Sequence, residues 1–187
     1  MKQRSFFSGD DILKKFFWLI SAVCVFLCGV VLQISYEASG HVAWSLVVSS
    51  VNNSPWELVK PFILTYIMWS FIELSVLRPS LLHFVCSKII SLHFFVIVSS
   101  TVLCFVIEES ISFSVIFSLI IISELLCYLI YRSKCRIELF FIPIIISFGI
   151  LFFCILFCSF YPPCIMHFYD RVSRSYGLAD VDFTVIK

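Results

Sequence analysis

Five nearly continuous apolar stretches, residues 16–36, 56–77, 82–107, 111–131 and 137–160, alternate with short polar segments. An α-helix rises about 1.5 Å per residue, so about 20 apolar residues cross a hydrocarbon core about 30 Å thick. Each stretch reaches that length. The abundant Ile, Val and Phe would favour strands in water, but a backbone in lipid must satisfy its hydrogen bonds within the segment. The two-residue alternation of a membrane barrel is missing. The pattern predicts an all-α protein, a polytopic transmembrane helix bundle of five spans.

Charge sets the expected orientation, because Lys and Arg collect on the cytoplasmic side of a membrane. Lys2, Arg4, Lys14 and Lys15 precede the first span, Arg78 follows the second, and Arg132, Lys134 and Arg136 separate the fourth from the fifth. Residues 37–55 contain no Lys or Arg, and the connection after the third span carries Glu108 and Glu109. The expected topology is N-in/C-out in the cell membrane. Residues 1–15 form a cytoplasmic segment, 16–160 the transmembrane domain and 161–187 an extracytoplasmic tail. Arg171, Arg174 and Lys187 in that tail run against the rule, beside Asp170, Asp180 and Asp182.

Composition supports this reading. Of 187 residues, 61% are hydrophobic and 13% charged, against roughly 45–50% and about 25% in ordinary soluble domains. A mean hydropathy of +1.06 leaves too few polar residues to coat a water-surrounded core. The formal net charge of +1 offers no field to attract nucleic acid. The first apolar run is too long for a signal peptide and lacks a small-x-small cleavage pattern, so it is expected to be retained. The five glycines are too few for a dinucleotide loop, and no nucleophile elbow, phosphate loop or zinc signature is present.

Most of the nine cysteines fall inside the expected spans, where Cys packs as a small hydrophobe. Cys24 with Cys28 and Cys154 with Cys158 share helical faces, but the two pairs lie at different depths. Packing, with no bound metal or cofactor, is the expectation; Cys164 is expected to be a free thiol outside. Ionisable residues inside a bilayer are expensive and are candidates for function. Glu73, Lys88 and Glu124 fall within about 10 Å of the cytoplasmic face by helical rise. They suit an ion-pair cluster between the second, third and fourth spans. Two readings stay open, a structural cluster and a proton or cation relay that continues through His93. His83 is expected at the membrane interface.

The segment Asn52-Asn53-Ser54-Pro55-Trp56-Glu57-Leu58-Val59-Lys60-Pro61 carries the densest chemistry. Ser54 reads as a helix N-cap, Pro55 as the first helical residue and Glu57 as the carboxylate that closes a capping box. Trp56 fits the interfacial aromatic belt, and Lys60 either snorkels outward or pairs with Glu57. Pro61 removes a helical hydrogen bond and predicts a kink. The Asn52 glycosylation pattern is discounted because Pro55 and the helix start follow it. Residues 41–51 suggest a short interfacial helix anchored by Trp44, after Gly40 ends the first span. Pro162 and Pro163 end the last span.

The combination of Tyr36-Glu37-Ala38-Ser39-Gly40, Val51-Asn52-Asn53-Ser54-Pro55-Trp56-Glu57 with Lys60, Glu73, Phe160-Tyr161-Pro162-Pro163, Asp170 and Tyr176-Gly177 resembles a family of small, uncharacterised bacterial integral membrane proteins, a domain of unknown function. The resemblance runs from the first helix to the tail and implies a bacterial setting without an activity. The family pattern usually has His where this chain has Gln33, Leu58 and Cys164, and Glu where it has Asn53. Those departures count against metal-dependent chemistry here.

Three functions follow from these residues. The first is binding or transport of a small or lipidic ligand at an outer-face pocket of Tyr36, Glu37, Asn52, Asn53, Trp56, Glu57, Lys60, Tyr161 and Asp170. The second is an accessory subunit that packs on a membrane-protein partner. The third is a lipid-modifying enzyme with Glu57 or Asp170 as general base and Lys60 steadying an anion. The lipid bilayer is the one partner common to all three; nucleic acid is none of them.

Overall fold

The computed structural model describes residues 10–39, 45–77, 80–106, 109–133, 136–170 and 175–176. Five long helices dominate these residues: α1 (Asp10–Gln33), α4 (Pro55–Leu77), α5 (Leu81–Leu103), α6 (Glu109–Arg132) and α7 (Phe141–Phe160). Two single-turn helices, α2 (Ser35–Ala38) and α3 (Ser45–Val48), lie between α1 and α4. A 3-10 turn, Ile137–Phe140, leads into α7. Another, Met166–Phe168, leads into paired two-residue strands β1 (Tyr169–Asp170) and β2 (Ser175–Tyr176). The sequence pattern gave no sign of this small hairpin.

Four helices are long and apolar enough to cross a membrane: Pro55–Leu77, Leu81–Leu103, Ile111–Arg132 and Ile137–Phe160. A shorter apolar stretch, Phe17–Gln33, occupies α1. Three expected boundaries move, the first being the start of α1, which lies at Asp10 and not at residue 16, inside the expected segment 1–15. The first long helix stops at Gln33, three residues before the expected end, because the chain turns at Ile34 into α2. The third stops at Leu103, where the Cys104 and Phe105 amides bond back to Thr101 and Val102 in a turn. Of the expected interfacial helix only Ser45–Val48 is helical, while Gly40, His41 and Trp44 lie outside the described residues, as do Arg78, Glu108, Lys134, Arg171, Arg174 and Gly177.

The helices form a ring in the order α1, α4, α5, α6, with α1 closing on α6. Side-chain contacts fix their directions. Ser21 at the middle of α1 meets Glu73 of α4, and four residues further along α1 the Val25 carbonyl accepts from Thr65 Oγ1, eight residues earlier in α4, at 3.2 Å, so α1 and α4 are antiparallel. Lys88 near the start of α5 meets Glu124 near the end of α6. Val25, Val59, Phe62, Ile63, Tyr66, Phe95, Ile116 and Ile120 fill the interior of the ring. At one crossing a side chain has no room: a Cβ at Gly29 of α1 would collide with the Phe62 ring of α4, so this glycine permits the close approach of the two helices.

Several hydroxyl groups in the helices are satisfied without water, whereas the buried Ser123 Oγ on α6 has no partner. Ser70, Ser87, Ser99, Thr101 and Ser159 each donate to the carbonyl four residues earlier, the local solution that lipid requires of a polar side chain. The helix α7 stands outside the ring against α5 and α3, with only Ile155 and Ser159 buried. Its Ile142, Ile146, Ile150, Phe153 and Phe157 are exposed, as an apolar lipid-facing surface requires.

Candidate functional site

At the end of the bundle where α4 begins, the backbone must be capped. The Leu58 amide bonds to the Ser54 carbonyl at 3.0 Å, and Ser54 Oγ accepts from the Glu57 amide at 3.4 Å. The reciprocal half of the expected capping box does not form. Asn52 Oδ1 takes the Ser54 amide at 3.0 Å, which leaves Glu57 to reach further back and accept from the Val51 amide at 3.1 Å. The same Glu57 oxygen, Oε2, accepts from Lys60 Nζ at 2.7 Å. Of the two expectations for Lys60, pairing prevails, and its side chain is 0% exposed. Helix α4 continues through Pro61 without interruption.

This pair is covered from the far end of the chain. Ser159, near the end of α7, accepts from Lys60 Nζ at 3.4 Å while donating to the Ile155 carbonyl. The Phe168 ring lies 5.3 Å from that of Trp56. Beside the ion pair a cavity of about 10 Å³ is lined by Val51, Asn52, Ser54, Glu57, Cys158, Ser159, Pro162 and Phe168. That is room for one water. Trp56 is buried, and its Nε1 has no hydrogen-bond partner. Asp170 is buried in β1.

The structure therefore joins Asn52, Trp56, Glu57 and Lys60 of the expected outer pocket. Asn53 is exposed beside them. Tyr161 does not join them: it is 70% exposed, and its ring lies against Phe157 at 5.5 Å. Tyr36 and Glu37 stand on α2, which packs on α3. Ser159 and Phe168 were missed from sequence. Ser159 did leave a signal, as an isolated hydroxyl at the end of a Phe-rich helix, but the signal named no partner.

The second cluster lies toward the opposite end of the ring. Lys88 Nζ donates to both oxygens of Glu124 at 2.8 and 2.7 Å and lies 2.5 Å from Glu73 Oε2. Ser21 donates to Glu73 Oε1. The ammonium also sits 4.6 Å from the Tyr66 ring centroid and 5.1 Å from that of Trp18, where the electron-rich faces favour a cation. All three charged groups are less than 5% exposed. His93 stands five residues along α5 from Lys88, about 140° around the helix. Its Nδ1 is occupied with the Ile89 carbonyl at 2.8 Å.

His83, expected at the membrane interface, stands at the start of α5. It is buried, with Nδ1 2.8 Å from Glu138 and Nε2 3.2 Å from the Ile130 carbonyl. The 3-10 turn before α7 folds Glu138 against the start of α5, a contact that no local pattern encodes. Cys164 is a free, exposed cysteine, and Cys24, Cys28, Cys154 and Cys158 are also free. Among the described residues, no three His, Cys, Asp or Glu side chains converge in a geometry that holds a metal ion. Comparison with protein-family models, curated proteins and solved structures finds no match for this chain.

Proposed function

We propose that this chain is a five-span bacterial membrane protein, oriented N-in/C-out in the cell membrane, that binds or transports a small or lipidic ligand at the end of the bundle where α4 begins. It belongs on this reading to the family of small integral membrane proteins that its motifs resemble. Helix α1 serves as the fifth span: its apolar part, Phe17–Gln33, measures about 26 Å, and it is held between α4 and α6.

The observation that carries the ligand reading is the Glu57–Lys60 pair, buried under the end of α7 and the residues after it. A buried ion pair adds little stability over apolar side chains of similar volume, so stability alone gives no reason for it. An ammonium, a carboxylate and the unpartnered Trp56 indole N–H together suit a ligand with a charged head and an apolar body. The cavity admits one water when covered, so the ligand enters by displacing residues 161–168 from the pair. A second reading, an accessory subunit, is favoured by the sparse burial of α7.

Native mass spectrometry of the protein released from its own membranes tests the proposal, comparing wild type with Glu57→Gln/Lys60→Met. The double variant replaces the pair without leaving a lone charge. A bound small species on wild type and not on the variant is the expected result. The same species on both, or none on either, contradicts it, and co-released protein subunits would favour the second reading.

A further inference from the structure

The outer pair and the inner cluster differ in charge. Glu57 and Lys60 neutralise each other, whereas Glu73, Lys88 and Glu124, all ionised, leave one negative charge uncompensated deep in the helix ring. The groups facing Lys88 are Trp18 and Ser21 from α1, Tyr66 and Glu73 from α4, Phe84 on its own helix, and Glu124 and Cys127 from α6. None of these brings a second cation. A lone charge is strongly disfavoured in a low-dielectric interior, and two carboxyl groups that share one cation avoid it when one of them takes a proton.

Lys88 donates to both oxygens of Glu124. Glu73 Oε2 lies 2.5 Å from the same ammonium, so both carboxyl groups face one cation. We propose that the Glu73–Lys88–Glu124 cluster is a proton-binding site whose one exchangeable proton is shared by the Glu73 and Glu124 carboxyl groups. One proton passes from hydronium to a carboxylate oxygen of the pair; an O–H bond forms there as one breaks in the hydronium, which leaves as water. The ammonium already occupies the space between the two carboxylates, which favours a proton over a metal cation as the ligand.

Protonation takes the cluster from net negative to neutral, the charge change that lets a proton-coupled device use the bundle interior. Glu73 and Lys60 share α4 and stand about 20 Å apart along it. A proton held at one end and a ligand site at the other are thus connected by one rigid element. The proton site does not depend on the ligand reading of the outer pair, since it stands on the inner cluster alone.

Infrared spectroscopy of the full chain in lipid nanodiscs at neutral pH tests the proposal through the carbonyl band of a protonated carboxyl group. Wild type is expected to carry this band, and Glu73→Gln to lose it. Glu124→Gln is also expected to lose it, because Glu73 then ionises against Lys88 in a neutral pair. Both variants keep one carboxylate for one ammonium, and far-ultraviolet circular dichroism checks that they fold. Should Glu73→Gln not fold, Glu124→Gln decides alone. Absence of the band from wild type, or its survival in either folded variant, overturns the proposal.

Discussion

Replacing Lys88 by Met is expected to destabilise the folded protein by about 3–5 kcal/mol, the range for removing one partner of a buried ion pair. The ammonium is the only cation within contact of Glu73 and Glu124 among the described residues, and it holds both oxygens of Glu124. Without it, Glu124 either stays charged in an apolar ring or takes up a proton at a cost. The aromatic faces of Trp18 and Tyr66 would lose their cation at the same time. Adding Glu124→Met removes the stranded carboxylate and should return most of the lost stability, since contacting residues are coupled in such a cycle. Chemical unfolding in detergent, followed by tryptophan fluorescence, measures both variants. An unchanged midpoint for Lys88→Met would mean that the cluster does not hold the helices together.

Lys60→Met is expected to have an effect of similar size, about 3–5 kcal/mol, because it strands the Glu57 carboxylate under the cover formed by Ser159, Pro162 and Phe168. Glu57→Gln should cost less, about 1–3 kcal/mol, as the amide oxygen still accepts from the Val51 amide and from Lys60. The order of the two single variants is the informative feature. The carboxylate has a structural task at the helix start in addition to its charge, whereas Lys60 does not cap the helix. Equal losses from the two single variants, in the same unfolding assay, would contradict this division of roles.

The helices, four of them long and apolar enough to cross a membrane, were legible because lipid leaves a backbone few choices. A run of some twenty apolar residues must become a helix, and Pro55, Pro162 and Pro163 mark where two of these helices start or stop. The meeting of Glu73, Lys88 and Glu124 was also readable, since three polar residues at one depth on successive helices have few other partners. What joins them was not: Ser21 and Trp18 reach the cluster only because the ring places α1 between α4 and α6. Helix rotation and ring order arise from packing such as Gly29 on Phe62, which hydropathy does not encode. The outer site was half readable for a related reason. Residues 52–60 are consecutive, and local capping rules name them. Ser159 and Phe168 come from about a hundred residues away and close over Lys60 and Trp56 through tertiary contacts alone. His83 and Glu138 likewise meet through the fold-back of a 3-10 turn.

The proposed five-span topology puts the two ends of the chain on opposite sides of the membrane. Cys164, free and exposed just after α7, is a natural reporter of that topology. The most direct measurement labels a variant that retains only Cys164 with a membrane-impermeant thiol reagent in intact cells, alongside a second variant whose single thiol is introduced by Ser5→Cys. Five spans oriented N-in/C-out predict that Cys164 reacts without permeabilisation and that the thiol at position 5 reacts only after it. Labelling of both positions from the same side would reduce the bundle to an even number of spans and contradict the account.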